Sequence, residues 1–238
     1  MRVLLTGFGP FPGVPVNATM RLVPAIAAAA RRALPDVRIR DEILTTAWQV
    51  APDRVAALLA EARPDVALHF GVSGRARGFE IEMRAVNRAS MRPDAAGASA
   101  APVCLDETAG DFIGSTFRGP LIVARLRQLG LPAFISRDAG TYLCNAVLFR
   151  SLACSAGSGT RTGFIHIPAS LAGSDGTRAG GRCPLTWDEA LEGGVEIVAT
   201  ALGRPPVRIA MSGGQGVEQG RERRRRPRLA DLETAPVA

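Results

Sequence analysis

Short apolar runs of strand length alternate along this chain with longer segments whose apolar positions recur at helical spacing. "RVLLTGF" (2–8) and "DVALHFGV" (65–72) are compact apolar runs that end in glycine-containing turns, the pattern of strands buried on both faces of a parallel sheet. "FEIEMRAVN" (79–87) and "LPAFIS" (131–136) read as further strands, and "RTGFIHIP" (161–168) as another that Pro168 stops. Between them, "NATMRLVPAIAAAARRAL" starts at a capping-type Asn17 and carries apolar residues at helical spacing; Pro24 should kink it or mark a short first turn. "APDRVAALLAEARP" predicts a second helix that ends before Pro64. "LTWDEALEGGVEIVATALG" opens with Thr186 and Glu189 in capping-box spacing and closes at Gly203.

Strands and helices alternating from start to finish predict a single α/β domain, an α/β/α sandwich around a mostly parallel, mixed sheet. "SAGSGTR" (155–161) and "AGSDGTRAGGR" (172–182) then read as loops within that domain. No internal repeat is visible. Beyond about Gly213 the chain turns to Gly, Gln and Arg with little apolar content, so the expected division is a catalytic domain over 1–212 and an Arg-rich, disordered tail over 213–238.

Composition changes this picture in three ways. With 47% hydrophobic residues in 238, there is ample material for a packed core, and no run reaches the length of a membrane span. The start "MRVLLTGF" reads as a first strand rather than a signal peptide, which leads us to expect a cytoplasmic protein with no membrane partner. The net charge of +7 is carried entirely by arginine, for the chain has no lysine. Six of the arginines lie in residues 220–238 against three acids, so the body is only mildly basic and a P-loop is excluded.

The four cysteines, Cys104, Cys144, Cys154 and Cys183, lack CxxC spacing and are too sparse for a disulfide scaffold. Cys144 differs from the other three. In "AFISRDAGTYLCNAVLFRSLA" a strand passes through a Gly140 loop into an amphipathic run, which sets the thiol at a helix N-terminus. Unpaired backbone N–H groups and the helix dipole favour a thiolate there, and the same N–H groups can stabilise an oxyanion. Cys104, Cys154 and Cys183 keep the ordinary reading of small buried hydrophobes.

Only two histidines can serve a mechanism that needs an imidazole. His166 sits near the C-terminal end of "GFIHIP", the end at which open α/β sheets build their sites. His69, in "VALHFGV", has the apolar surroundings of a core histidine. Glu80 and Glu82 share one face of a strand; either could orient the imidazole, and either could be a solvated face position.

Four ordered motifs, "LLTGFGPFPGVPVNAT", "HFGVSGRARGFEIEMRAVNRA", "SRDAGTYLCNAVLF" and "GFIHIP", together resemble the pyroglutamyl peptidase I, or pyrrolidone-carboxylate peptidase, family. The resemblance spans residues 2 to about 203. It implies a phosphorylase/hydrolase-like α/β fold and a Cys-His-Glu cysteine peptidase that removes N-terminal pyroglutamate from peptides without metal or other cofactor. Residue by residue it puts the nucleophile on Cys144, the histidine on His166 and the acid on Glu82, a choice over Glu80 that rests on the resemblance alone. It also assigns Phe8 and Phe11 to the flanks of the lactam ring and Val72, Tyr142 and Leu143 to the pocket wall. Many bacterial members have glutamine where this chain has Val72, whereas "GVSG" and "RDAG-x-YLC" follow the animal-type pattern. Arg92 matches a family arginine, and "RPDAAG" after it is one residue shorter than usual. Bacterial relatives that form tetramers imply a possible homo-oligomer.

Two other functions fit parts of the chain. A sister hydrolase on the same scaffold, acting on another cyclic or N-acyl amide, would keep the three residues. A nucleic-acid role would use Arg223 to Arg226, but nothing aromatic interleaves that cluster, so a solvated tail is expected. "GGQGVEQG" lacks dinucleotide-loop spacing, and "NAT" at 17–19 is a sequon that a cytoplasmic chain would leave unused.

Overall fold

A computed structural model describes residues 1–171, 177–178, 181–182 and 184–207. In chain order the elements are β1 (Arg2–Phe8), α1 (Thr19–Ala33), β2 (Arg38–Leu44), α2 (Ala51–Ala62), β3 (Val66–Ser73), β4 (Phe79–Glu82), β5 (Arg84–Val86) and β6 (Phe112–Gly114). They continue with α3 (Gly119–Gln128), β7 (Ala133–Ser136), α4 (Leu143–Ser155), β8 (Arg161–Pro168), the two-residue strands β9 (Thr177–Arg178) and β10 (Gly181–Arg182), and α5 (Trp187–Ala201).

Six strands form the central sheet in the order β2-β1-β3-β8-β4-β7. All neighbours are parallel except β4 against β8, so the sheet is mixed and mostly parallel. α1, α3 and α5 pack together on one face, and α2 pairs with α4 on the other. Each face has its own apolar core. Val3, Leu5, Ile26, Leu68, Phe79, Ile165 and Ile197 belong to the first, and Leu4, Val55, Ala67, Val147, Leu148 and Phe164 to the second. Alternate residues of β1 and β3 thus feed opposite cores, which is why these strands read as unbroken apolar runs.

The expected strands at 2–8 and 161–168 appear with those bounds, and the capping box closes as predicted: Thr186 Oγ1 accepts from Glu189 N at 3.2 Å while the Glu189 carboxylate accepts from Thr186 N. Pro24 does not end α1, which runs unbroken from Thr19 to Ala33. α2 stops at Arg63, whose φ of 43° closes the helix before Pro64.

Two expectations are corrected, and one strand had no counterpart among them. "FEIEMRAVN" is two strands, because Met83 is held by Ser136 and Ser115 through backbone bonds and turns the chain out of the main sheet; β5 then pairs with β6. "RIRDEIL", without a clear apolar period, is the edge strand β2. Its charged residues pair with neighbouring helices, Arg54 with Glu42 at 2.6 Å and Arg31 with Asp41 at 2.6 Å, so the exposed edge carries charge where a core strand carries apolar residues. "AGSDGTRAGGR", read as a loop, contains the β9–β10 ladder; its remaining residues, Cys183 and the tail 213–238 lie outside the described residues.

Candidate active site

The strand order sets the chemistry out in a row. β8 delivers His166 near its C-terminal end, β3 presents Gly71 beside it, and antiparallel β4 presents Glu80 on its other side. Glu82, two residues on, opposes Phe164 and lies on the same face as His166. α4 brings Cys144 over this face as its second residue.

His166 Nδ1 bonds Glu82 Oε1 at 2.8 Å, and both side chains are buried. The Phe164 ring, 4.8 Å from the imidazole between centroids, supports it from below. With Nδ1 engaged, Nε2 is the nitrogen left to face Cys144, whose sulfur acts on the imidazole by charge. Burial alone would drive the imidazole toward its neutral form. Cys144 and Glu82 together outweigh burial and raise the His166 pKa to about 10. The arrangement therefore favours the imidazolium form of His166.

Cys144 occupies the helix entry expected for it. Gly140, at φ 75°, turns the chain, and Tyr142 caps α4 with extended backbone and no side-chain bond to the first turn. Ala146 N is the first amide bonded back into the helix, to Tyr142 O. The amides of Leu143, Cys144 and Asn145 precede it, as the oxyanion argument requires. Gly71 makes room for the sulfur: a Cβ there would stand 3.0 Å from Cys144 Sγ and 2.7 Å from Phe164 Cζ.

A cavity of about 700 Å³ opens onto Cys144 and His166. Phe8, Phe11, Val72, Tyr142 and Leu143 all line it, as does Arg92. Phe8 and Leu143 do so from fully buried positions, whereas Phe11 is held out by paired backbone bonds with Val14. Phe11 and Trp48 meet the Tyr142 ring at 5.7 Å and 5.2 Å, the second edge-on, and the Arg92 guanidinium lies 5.4 Å above that ring. Tyr142 Oη donates to Pro93 O at 2.9 Å. The short "RPDAAG" loop is organised from within by Asp94, which accepts from the amides of Trp48, Ala96 and Ala98. Those bonds overcome the effect of burial and hold its carboxyl below the usual range.

Sequence reasoning missed several supports. Asn145 Oδ1 accepts from Val86 N, and its Nδ2 donates to Val86 O and Arg88 O, which ties the first turn of α4 to the segment following Glu82. Trp48 had no signal in a chain read for strands and helices. Asn17, read as a cap and as part of a sequon, is buried; it donates to Gly9 O and accepts from Thr19, fixing the loop that carries Phe11. The solvated-face reading fails for Glu82, which is fully buried, and Glu80 is half-buried. Cys154 is exposed because it falls on the outer side of α4, away from the core, and Cys104 is half-buried. His69 is the core histidine expected, bonded to Thr6 Oγ1 at 2.7 Å and Ser151 Oγ at 2.8 Å.

Donor atoms of Glu80, Glu82 and His166 lie within 4.8 Å of one another, close enough to share a cation. Such an ion would compete for the Nδ1 that Glu82 holds, breaking the bond that orients the imidazole.

A cysteine and a histidine–glutamate pair at the mouth of one cavity form the arrangement of a cysteine hydrolase. Comparison with known proteins decides which kind: the pyroglutamyl peptidase family model matches residues 1–201. The chain belongs to the pyroglutamyl peptidase family. The pyrrolidone-carboxylate peptidase of Cupriavidus pinatubonensis is 34% identical over 222 residues, covering 90% of this chain and 98% of that protein. That of Pyrococcus furiosus is 34% identical over 171 residues, 71% of this chain and 81% of its own. A solved structure of a mutant pyrrolidone carboxyl peptidase from the same archaeon superposes with a TM-score of 0.74 at 29% identity, covering 85% of this chain and 99% of that one. The chain is accordingly a peptidase of the cysteine type, built on the α/β fold of this family. Among the described residues, no helix is long and apolar enough to cross a membrane.

Proposed function

We propose that this chain removes N-terminal pyroglutamate from peptides, with Cys144 as nucleophile, His166 as general base and acid, and Glu82 as the acid that orients it. The observation that carries this reading is the Glu82–His166 bond at 2.8 Å at a cavity shared with Cys144, which stands at a helix N-terminus, within a chain of the pyroglutamyl peptidase family.

The Cys144 thiolate attacks the pyroglutamyl carbonyl carbon, and the developing oxyanion is met by first-turn amides of α4. His166 passes its proton to the leaving amine as the C–N bond breaks, which leaves a thioester. Water, deprotonated by His166, then releases pyroglutamate and restores the thiol. Phe8, Phe11, Val72, Tyr142 and Leu143 would enclose the lactam. This side of the cavity is largely apolar and aromatic, suited to a flat uncharged ring, and Val72 would contribute contact without a side-chain hydrogen bond.

The C-terminal bound of the family match, residue 201, supports a catalytic domain over 1–212 with 213–238 outside it. Cytoplasmic location and homo-oligomer formation rest on family likeness and are checked by fractionation and sedimentation. Cys144→Ser tests the assignment. It should lower turnover of a pyroglutamyl amide by several orders of magnitude, and undiminished activity would remove Cys144 from the mechanism. Comparison of pyroglutamyl, prolyl and glutamyl amides separates this reading from a sister hydrolase.

A further inference from the structure

The sheet orders the cavity lining from one end to the other. Phe8 comes from β1 and Val72 from β3, then His166 from β8, Glu80 from β4, and Phe134 from β7. Three of these form a register row: Glu80 pairs with His166 across one strand boundary and with Phe134 across the next. With the lactam at the Phe8 and Val72 end and the leaving nitrogen within reach of His166, the far end of the row lies open to the released peptide. There it meets Glu80 first and Phe134, on the edge strand, second. Adjacent strands are about 4.8 Å apart, so the row from His166 to Phe134 spans roughly three residues of extended chain.

Glu80 is built to be felt by what lies over it. It is half-buried and, among the described residues, makes no hydrogen bond and no ion pair. The exposed Arg75 lines the same end of the cavity and interacts with Glu80 only through space. Burial and the nearby Glu82 charge raise the Glu80 pKa, opposed by His166 and Arg75. His166 and Arg75 act on Glu80 only through space, so a cationic side chain at the first released residue would add a direct ion pair, whereas an acidic one would meet the Glu80 carboxylate.

From this row we propose that Glu80 is a specificity-determining residue for the released side, favouring peptides whose residue after pyroglutamate is basic over those in which it is acidic. The proposal rests on the pyroglutamyl peptidase reading of the site and extends it to the leaving peptide.

The test measures kcat/KM of the full chain on pyroglutamyl peptides identical except for lysine, alanine or glutamate at the second position. Lysine should exceed glutamate by roughly tenfold, the scale of one partly desolvated charge pair. Glu80→Gln, close to isosteric, should bring the ratio within about twofold, and Glu80→Lys should invert it. Arg75→Ala, which removes the competing cation, should widen the wild-type ratio and does not depend on Glu80 variants folding. A flat wild-type profile, or a ratio unchanged in Glu80→Gln, would overturn the proposal. Failure to cleave any of the three would instead overturn the peptidase reading beneath it.

Discussion

His69 and His166 stand on neighbouring strands, both buried, and the fold drives them in opposite directions. His69 is surrounded by neutral partners, the hydroxyls of Thr6 and Ser151, so burial acts unopposed and lowers its pKa to about 3. At His166 burial pushes the same way, but a carboxylate at 2.8 Å and the neighbouring Cys144 reverse the outcome to about 10. Burial therefore does not decide whether a histidine is structural or chemical. The charge of what touches it does.

The comparison can be broken at its charged side with the largest effect. Glu82→Gln keeps the shape but removes the charge and can favour the wrong tautomer. Turnover should fall by roughly 10²- to 10⁴-fold, and the alkaline limb of the pH–rate profile should move down from near 10. Unchanged turnover would show that Glu82 does not orient His166.

Breaking the neutral side should cost stability and spare chemistry. His69→Ala leaves a cavity and strips two buried hydroxyls of their partner, so unfolding by urea should show a loss of about 3–5 kcal/mol, with kcat in the surviving folded fraction little altered. The sign of the pH effect distinguishes the two residues. His69 is neutral when folded and binds a proton below pH 6.5 when unfolded, so it should cost about 1.4 kcal/mol per pH unit as pH falls from 6.5 toward 3. His166, whose folded pKa is raised, contributes stability that is complete below 6.5 and is lost as pH rises toward 10. A loss of stability between pH 6.5 and 3 that is no shallower when His69 is replaced by a neutral residue would contradict the first assignment.

A smaller effect probes the cavity wall. Tyr142→Phe removes the bond to Pro93 O and should raise KM a few-fold, consistent with about 1 kcal/mol, while kcat changes little. A collapse of kcat would mean that the hydroxyl takes part in the chemistry.

How much of this was legible in the sequence follows from the range of the signals. β8 and the capping box of α5 declare themselves within a few residues, because apolar runs, Pro168 and the Thr186–Glu189 spacing are local. Cys144 is legible for the same reason, its helix entry being written in the residues on either side. The preference for Glu82 over Glu80 is not, since both share a strand face; only the family resemblance separated them. The structure gives the physical difference, as Glu82 is sealed against His166 while Glu80 looks into the cavity. β2 was missed because an edge strand braced by ion pairs has no clean period. Asn145 and Trp48 were missed because their roles depend on partners far along the chain, Arg88 being 57 residues from Asn145.

The chain has only two histidines, so an NMR titration of the imidazole nitrogens reads both sides of the comparison in one experiment. The account predicts one imidazole that stays protonated until the pH nears 10 and another that stays neutral down to about pH 3, with Cys144→Ser lowering the first and leaving the second in place. Two histidines titrating together near 6.5, or a high-pH transition untouched by Cys144→Ser, would contradict an imidazolium held at His166 by Glu82 and Cys144.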